Sequence, residues 1–403
     1  MSLVATDKPR THIHLLFLIV TLVGLGTVMI YSASSGLAQL RFENGHFFIQ
    51  RWTIRALIGL AAMLLVTQVD YRLLKRLSKP LLLIGFLGLL TVLALKLLGV
   101  GKVRGAYRWI PLPGGAFQPA DLMRLALVVF LADSLNRHKG LLADFRYGFV
   151  PHAAIVAAAM GLILLQPDLG SALAIGTMCA LTMYIAGVRL LHLTGSVLVT
   201  LPVIYLVVFV IGYRRERVMT FLDPTGDVQG DGYQISQSLL ALGSGGLTGL
   251  GLGQSQQKYF FLPEPHTDFV FSILGEELGL IGTIGLLASF VLFGYLGFRI
   301  ARSAPDFHGF LLASGITSMV MVYAFVNMGV AIGLLPTTGL PLPFISYGGT
   351  SLLLTLIAGG ILINIGKQGT AKPGVLAGNE LDWERKPLSR IRRPAFGVPI
   401  RSN

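Results

Sequence analysis

Long apolar runs separated by short polar segments recur from one end of the chain to the other. A run of about 20 apolar residues is long enough to cross a bilayer as a helix. In lipid the backbone must satisfy its own hydrogen bonds, so the pattern predicts an all-α polytopic membrane protein with about ten transmembrane helices. The predicted spans are residues 12–34, 51–70, 80–99 and 121–137, a run that ends at 166, residues 171–187, a run that ends near 213, and residues 268–302, 308–332 and 350–366.

The first apolar run has two interpretations. It ends in the small residues Ser32, Ala33 and Ser34, as a cleavable signal peptide can. We favour an uncleaved first helix, because the run is long for a signal core and many spans follow it. The predicted organisation is a cytoplasmic N-terminal tail (1–11), a transmembrane domain (12–366) and a basic, largely disordered cytoplasmic tail (367–403).

Lysine and arginine residues set the orientation. With ten spans, both tails, the loops at 71–79 and 137–146, and Arg299–Arg302 fall on one side, which should be cytoplasmic. The opposite side receives a large loop between the seventh and eighth spans, residues 214–265. Arg104, Arg108 and Arg214–Arg217 break the bias on this outer side. Either they bind an anionic ligand there, or short loops tolerate a few charges.

Composition excludes a soluble domain, because 53% of the residues are hydrophobic and 13% are charged, against about 25% charged in soluble proteins. The net charge of +13 would suit nucleic acid, but basic loops beside a membrane account for it better, so we expect no nucleic acid partner. The one cysteine, Cys179, can form no internal disulfide. The sequence shows no metal-ligand spacing and no nucleotide-binding fingerprint.

The stretch 261–279, FLPEPHTDFVFSILGEELG, carries the most informative polar residues. Thr267 is a plausible N-cap, which would place Asp268 in the first turn of a membrane helix at its outer end. Glu276 and Glu277 would lie about 12 Å deeper and should face protein or a wet cavity. Two interpretations stay open: these carboxylates cap and join helices, or they belong to a functional site.

The outer side gathers groups that suit an amphiphilic substrate with an anionic head. Arginine and lysine bind phosphate or diphosphate, and a carboxylate near the water boundary can act as a general base on a hydroxyl. Other polar residues have structural interpretations. Asp121 and Arg124 should form an ion pair on one helical face, Asn327 should make an interhelical hydrogen bond, and the glycine-rich residues 243–253 should form a flexible or close-packed loop.

Several motifs together resemble the SEDS family of bacterial membrane proteins (the FtsW, RodA and SpoVE proteins). They include YRWIPLPGGAFQPADLMR, LLQPDLGSAL, YRRERVMTFLDP, GDGYQISQSLLALGSGGLTGLGLGQSQQKYFFLPEPHTDFVFSILGEELGLIG and GLLPTTGLPLPFISYGGTSLL, spread across most of residues 12–366. The resemblance implies ten transmembrane helices with both termini in the cytoplasm. It also implies a peptidoglycan glycosyltransferase of the bacterial cytoplasmic membrane that polymerises lipid II and releases undecaprenyl diphosphate. The GLGQSQQK step is more similar to the division type of this family.

The resemblance also implies roles for residues and partners. The family's essential aspartate corresponds to Asp268. The family reads Gln-Pro-(Ser/Ala)-Glu-Leu-x-Lys where this chain has Asp121 and Arg124. This pair keeps the two charges of the family's glutamate and lysine, but its side chains differ from theirs in reach, which bears on any role carried over to it. We expect substrate contacts from Arg108, Arg214, Arg215, Lys258, Glu264, His266, Thr267 and Ser346, and support from Asp121, Arg124, Glu276, Glu277 and Asn327.

The implied partners are a class B penicillin-binding protein and other membrane proteins of the division machinery. No cofactor is certain, and a divalent cation (Mg2+ or Mn2+) is left open. Two functions of other classes also stay open: a flippase for a lipid-linked precursor, and a non-catalytic scaffold for division proteins. A flippase would favour internal repeats with interrupted helices; no such symmetry is visible, although the Pro/Gly stretch 336–349 is typical of an interrupted helix.

Overall fold

The computed structural model describes residues 10–103, 106–113, 115–206, 209, 231–259, 262 and 265–371. In this part of the chain, helices dominate, and a short hairpin is the main strand structure. The helices are α1 (Thr11–Phe42), α2 (Phe47–Val66), α3 (Leu74–Leu97), α4 (Pro119–Arg137), α5 (Val150–Leu165), α6 (Leu169–Ala186), α7 (Leu190–Tyr205), α8 (Asp231–Ser244), α9 (Val270–Arg302), α10 (Phe307–Ala331) and α11 (Gly349–Ala371). The hairpin pairs β1 (Ile110–Leu112) with β2 (Gly115–Phe117) in antiparallel register.

Eight of the described helices are long and apolar enough to cross a membrane. They correspond to the first three predicted spans, the fifth, the sixth and the last three, which confirms the all-α polytopic fold. The fourth predicted span, α4, carries four charged side chains and therefore lacks the composition of a lipid-facing helix. It packs against α3, α6, α10 and α11, and almost every residue in it is buried. Because other helices enclose α4, three of its charged residues, Asp121, Arg124 and Asp133, are buried in protein and do not face lipid.

The helix ends assemble into two opposite rims. At the inner rim, the α2–α3 connection meets the end of α11, where the Asn364 amide donates to the Thr67 carbonyl and Tyr71 N–H donates to the Asn364 side chain. At the outer rim, Gln118 N–H donates to the Thr350 hydroxyl, which joins the start of α4 to the start of α11. The alternation of the two rims along the chain follows the predicted order of loops.

One helix inside the predicted hydrophilic loop 214–265 was not expected. α8 places Gly232, Ile235, Ser238 and Ala241 on one buried face that packs against α9. The spacing of these residues is that of one helix face, but three of the four are small or polar, so the apolar pattern does not stand out. The end of the seventh span near residue 213 lies outside the described residues.

α9 is broken at Gly279, whose φ of 66° and ψ of −163° are not helical. A loop that follows α8, here called the glycine loop (residues 245–259), fills the break. Leu250 N–H donates to the Glu276 carbonyl, and Gly251 N–H donates to the Glu277 carbonyl. In the other direction, Leu280 N–H donates to the Gly246 carbonyl. The backbone groups that the kink frees are therefore paired, as groups at membrane depth must be.

Candidate active site

Asp268 lies in a tight turn just before α9 and is partly exposed at the outer rim. The prediction that Thr267 caps the helix and that Asp268 lies in its first turn is wrong, because the N-cap is Phe269 and the helix begins at Val270. The physical reason is visible in the hydrogen bonds. The Asp268 carbonyl accepts from the side-chain amide of Asn327 at 2.8 Å, which holds residue 268 in the turn.

Asn327 is the residue that fixes this turn to its surroundings. Its amide nitrogen donates to the Asp268 carbonyl and, at 2.7 Å, to the Leu340 carbonyl. A side chain on α10 thus ties the start of α9 to the segment before α11. The prediction of a structural hydrogen bond for Asn327 agrees with this geometry, although the partners are backbone groups of two connecting segments.

A small cavity of about 40 Å³ opens beside Asp268. This volume holds a few water molecules or one polar group of a ligand. Its walls include Gln234 of α8, Asn327, and the consecutive residues Thr337, Thr338 and Gly339. The Thr338 hydroxyl and the Asn327 amide oxygen are buried without a hydrogen-bond partner among the described residues. Buried polar atoms in that state are typical of a site that receives a ligand or water.

Gln234, Thr337, Thr338 and Gly339 were not predicted as site residues. The threonines and Gly339 belong to the Pro/Gly stretch LLPTTGLPLPF, which was interpreted only as a hinge. A carbon atom placed on the Gly339 Cα would lie in ordinary contact with Asp268 Oδ2, at 3.5 Å, so Gly339 lies directly beside the carboxylate, and its φ of 73° favours glycine there. Two adjacent threonines in a polar interruption between membrane helices were a usable signal of a polar site.

His266 and Ser346 are buried in the wall behind Asp268. The His266 ring packs between Phe48 and Tyr347, with ring centroids at 4.6 Å and 5.4 Å, and its carbonyl accepts from Tyr347 N–H. The Ser346 hydroxyl accepts from Leu342 N–H and closes a turn. Thr267 is also buried. These contacts support the Asp268 turn, while the predicted substrate contacts of these residues stay predictions.

Arg108 approaches the outer rim from the hairpin side. Its guanidinium donates to the Pro167 carbonyl and lies 3.6 Å from an Asp168 carboxylate oxygen. Asp168 caps α6 by accepting from Ser171 N–H and the Ser171 hydroxyl. In the next residue but one, Gly170, an added carbon would collide with Thr338. Arg108 is thus joined through the start of α6 to the wall of the Asp268 cavity.

Asp121 and Arg124 form the predicted ion pair within α4, with 3.7 Å between nitrogen and oxygen. Arg124 is buried and makes its shorter contacts elsewhere. Its guanidinium donates to the Thr355 hydroxyl at 2.8 Å and to Ser351, and it lies over the Tyr323 ring at 4.4 Å. The arginine therefore joins α4 to α10 and α11, which suits the supporting role predicted for the pair.

Glu276 and Glu277 are fully buried at the break in α9 and hold the glycine loop in place. Glu276 accepts from the Ser255 hydroxyl at 2.5 Å and from Gln256 N–H at 2.9 Å. Glu277 accepts from the Ser32 hydroxyl at 2.5 Å and from the Lys258 ammonium at 3.3 Å. Lys258 also donates to the Gly253 carbonyl. The structure places Lys258 in a buried ion pair, so its predicted contact with substrate has no geometric support.

The remaining predicted site residues, Arg214, Arg215 and Glu264, lie outside the described residues, as does Arg104. Within the described part of the chain, no group of three or more histidine, cysteine, aspartate or glutamate side chains could hold a metal ion. A divalent cation therefore stays a prediction.

Comparison with known proteins identifies what the chain resembles. The model of the family described as "Cell cycle protein", FtsW/RodA/SpoVE, matches residues 13–371. The "Probable peptidoglycan glycosyltransferase FtsW" of Geobacter metallireducens is 44% identical over 364 residues, which cover 90% of this chain and 96% of that protein. "Stage V sporulation protein E" of Bacillus subtilis is 42% identical and covers 90% of this chain and 98% of that protein.

Solved structures agree in fold. A chain from work on "polymerization and crosslinking by a peptidoglycan synthase complex" superposes with a TM-score of 0.71 at 30% identity, and the match covers 91% of this chain and 99% of that one. The rod shape determining protein RodA of Thermus thermophilus superposes with a TM-score of 0.62 at 30% identity, over 88% of this chain and 96% of that one.

Proposed function

The chain belongs to the FtsW, RodA and SpoVE family of cell cycle proteins, and from that premise we propose how it works as a peptidoglycan glycosyltransferase. Two relatives that are named as such, both from Geobacter species, are 44% and 42% identical to it over about nine-tenths of the chain. It is a multi-pass protein of the cytoplasmic membrane that acts in septal wall synthesis. Lipid II, a lipid-linked disaccharide diphosphate, is the substrate that we propose.

Asp268 is the proposed general base. It takes the proton from a sugar hydroxyl of the acceptor, and the hydroxyl oxygen forms a bond to the anomeric carbon of the donor. The bond from that carbon to the diphosphate breaks, and undecaprenyl diphosphate leaves with the electron pair. The single observation that carries this proposal is a partly exposed carboxylate at the outer rim beside a small polar cavity. General-base catalysis of this kind contributes about 10²–10⁴-fold to a rate.

The cavity sets the scale of what Asp268 contacts. At about 40 Å³ it has room for one hydroxyl group or a few waters. A whole lipid-linked disaccharide must lie outside it, along the rim. The hydrogen bond from the Asn327 amide, which we call the Asn327 clamp, holds the backbone of Asp268 in place. Such positioning of a reacting group lowers the activation barrier.

Among the residues that the structure describes, Arg108 is the cationic side chain that we propose binds the diphosphate. It lies at the outer rim with its guanidinium mostly buried against Pro167 and Asp168. Arg214 and Arg215, which lie outside the described residues, remain candidates as well. Positive groups that balance the charge of a leaving diphosphate stabilise the transition state. If Mg2+ or Mn2+ takes part, oxygens of the diphosphate would supply ligands to it.

A class B penicillin-binding protein is the proposed partner. The support is the likeness to a chain from a peptidoglycan synthase complex that polymerises and crosslinks. A partner that crosslinks new strands would use the product of this chain directly. Other membrane proteins of the division machinery are proposed on the strength of the FtsW relatives.

The test is polymerisation of lipid II by the purified protein with its penicillin-binding partner in detergent. We expect Asp268→Asn to keep the fold and to lower the rate at least about 100-fold, because the amide cannot accept the proton. The control is Asp144→Asn, at an exposed aspartate of an inner loop, which should retain the wild-type rate. Near-normal chain growth by Asp268→Asn would overturn the assignment of the base.

The same assay separates the alternatives. Detergent contains no leaflets, so polymer formation there requires transferase activity and would not arise from a flippase. A non-catalytic scaffold would show no polymer formation, and its Asp268→Asn variant would still support division in cells.

A further inference from the structure

A second cavity opens at the outer rim and shares no lining residue with the Asp268 cavity. It is an open groove of about 550 Å³ between the end of α1, the α1–α2 turn and the glycine loop. This volume lies within the roughly 300–1,000 Å³ of small-molecule sites. Its chemically informative lining residues, which define it here as the outer groove, are Tyr31, Gln39, Glu43, Asn44, His46 and Tyr259.

Three aromatic rings line the outer groove. The Tyr31 and His46 rings are parallel to within 8°, with centroids 5.7 Å apart. Tyr31 is 47% exposed and Tyr259 is 52% exposed. The face of an aromatic ring is electron-rich and attracts the slightly positive C–H groups on the face of a pyranose ring. Exposed rings within a polar groove therefore suit a carbohydrate.

Gly36 shows that the position of Tyr259 depends on a specific fit. Glycine inside a helix lowers helix stability by about 1 kcal/mol relative to alanine, yet α1 has glycine at residue 36. A carbon placed on the Gly36 Cα would lie 3.0 Å from Tyr259 Cε1. The glycine thus makes room for the tyrosine ring against the helix, beside the groove.

The polar lining residues suit neutral sugar oxygens. The Gln39 side-chain oxygen accepts from Gly45 N–H, and the Asn44 side-chain oxygen accepts from His46 N–H. These bonds fix both amides and leave their NH₂ groups as donors for an acetamido carbonyl or a hydroxyl. Glu43 can accept from sugar hydroxyls. Among the described residues, no arginine or lysine lines the groove, and this lining does not favour a diphosphate.

The outer groove is connected to the candidate active site by direct packing. His46 precedes α2, and Phe48, in the first turn of α2, packs its ring on His266 at 4.6 Å. His266 is two residues before Asp268. The element that carries the groove therefore packs directly on the segment that carries Asp268.

We propose that the outer groove binds uncharged, N-acetylated sugar rings of the glycan strand and holds the strand beside Asp268. The inference rests on the proposed function, because the strand is the product of that reaction. Substitutions that weaken sugar binding by the outer groove should shorten the glycan strands, because a strand that is bound less tightly dissociates earlier between additions of disaccharide units.

Direct binding tests the groove without turnover. The probe is chitotetraose, a soluble tetramer of N-acetylglucosamine, titrated by calorimetry into the full-length protein in detergent, with maltotetraose as the sugar that lacks acetamido groups. We expect wild type to bind chitotetraose and not maltotetraose, and Tyr31→Ala and Tyr259→Ala to weaken that binding at least about 10-fold. Gly36→Val, which displaces the Tyr259 ring and removes no groove side chain, should weaken it as well. Tyr147→Ala, at an exposed tyrosine of an inner loop, is the matched control and should bind as wild type does.

The same variants are then compared by the length of glycan that they make from lipid II. We expect Tyr31→Ala and Tyr259→Ala to make strands at most about half as long as those of wild type, while Tyr147→Ala makes strands of wild-type length. Binding of chitotetraose by Asp268→Asn keeps the two proposals apart, because it needs no catalysis. Absence of chitotetraose binding by wild type, equal binding by the tyrosine variants, or unchanged strand lengths would each overturn the outer groove proposal and leave the role of Asp268 standing.

Discussion

Asn327 shows how far residue types could lead without coordinates. An asparagine inside an apolar run predicts a hydrogen bond at membrane depth, and the structure contains one. The two carbonyls that it meets belong to segments far apart in the chain, Asp268 and Leu340. No local pattern identifies such partners, so the clamp on the proposed base could not be predicted from the sequence.

Removal of this clamp gives the first prediction. Asn327→Asp keeps the shape and loses both donated hydrogen bonds, so the Asp268 carbonyl loses its partner and the turn loosens. We expect the maximal rate of lipid II polymerisation to fall about 10-fold or more with little change in the substrate concentration for half-maximal rate, because positioning acts on the reacting complex. Steady-state kinetics measure both quantities.

The control for that experiment is a matched change on the same helix. Ser318→Ala removes a buried hydroxyl from α10, away from the Asp268 cavity lining, and should leave the kinetics close to wild type. If Asn327→Asp and Ser318→Ala had equal rates, the clamp would have no part in positioning Asp268.

The buried pair Lys258–Glu277 gives a prediction about stability. Both groups are nearly inaccessible to water, and removal of one partner strands the other charge, which costs about 3–5 kcal/mol. We therefore expect Glu277→Gln and Lys258→Met each to lower the thermal unfolding temperature clearly, and the double variant to lower it by less than the sum. Arg146→Met, at an exposed arginine of an inner loop, is the surface control and should change the stability by no more than about 0.5 kcal/mol. Additive losses in the double variant would show that the pair does not interact.

At the scale of elements, helix positions were predictable and helix interruptions were not. A run of apolar residues fixes where a membrane helix must lie, and eight such runs became helices of suitable length. The break at Gly279 follows from contacts with a distant loop, and one glycine among several in Glu277–Gly285 does not distinguish itself. α8 was not predicted, because its buried face consists mainly of small and polar residues and therefore shows no clear apolar pattern.

The backbone of the glycine loop packs directly on the backbone of α9, and the contact leaves no space for a side chain. A carbon added to Gly249 would collide with the Glu277 carbonyl, and one added to Gly279 would collide with the backbone of Gly249 and Leu247. Both residues also have positive φ, at 83° and 66°, which an L-amino acid adopts only at a cost. We expect Gly249→Ala and Gly279→Ala to lower the unfolding temperature and the yield of folded protein, as measured by size-exclusion chromatography of heated samples.

Gly243 provides the matched control within the same region. It lies in α8 with open space around the added carbon, so Gly243→Ala should be neutral or stabilising, by up to about 1 kcal/mol. If all three substitutions behaved alike, close backbone packing would not be what requires glycine in this loop.

At the scale of the whole molecule, the two rims use charge differently. The outer rim has a partly exposed aspartate beside a cavity whose lining includes polar atoms that have no hydrogen-bond partner in the described part of the chain. At the inner rim, Asp306 caps α10 through Gly309 N–H at 2.7 Å and pairs with Arg72 at 3.1 Å, with Lys75 nearby at 3.8 Å. The difference matches the proposed functions, since the inner charges hold helix ends together, whereas the outer aspartate lies beside a space that a ligand group can enter.

The inner rim predicts a specific response to acid. Desolvation by itself would raise the pKa of Asp306, but the Gly309 N–H and the Arg72 guanidinium outweigh it and hold the pKa below the ordinary value of 3.8. A carboxyl whose pKa is lower in the folded state contributes stability above its unfolded pKa and loses that contribution as the pH falls through the folded pKa. Wild type should therefore lose stability from about pH 4 downward. Asp306→Asn keeps the cap but loses the charge that pairs with Arg72, so it should be less stable at pH 7 by up to about 1 kcal/mol and should lose less over the same range. Thermal unfolding of both proteins between pH 7 and pH 3 measures this, and parallel curves would show that Asp306 makes no net contribution through its charge.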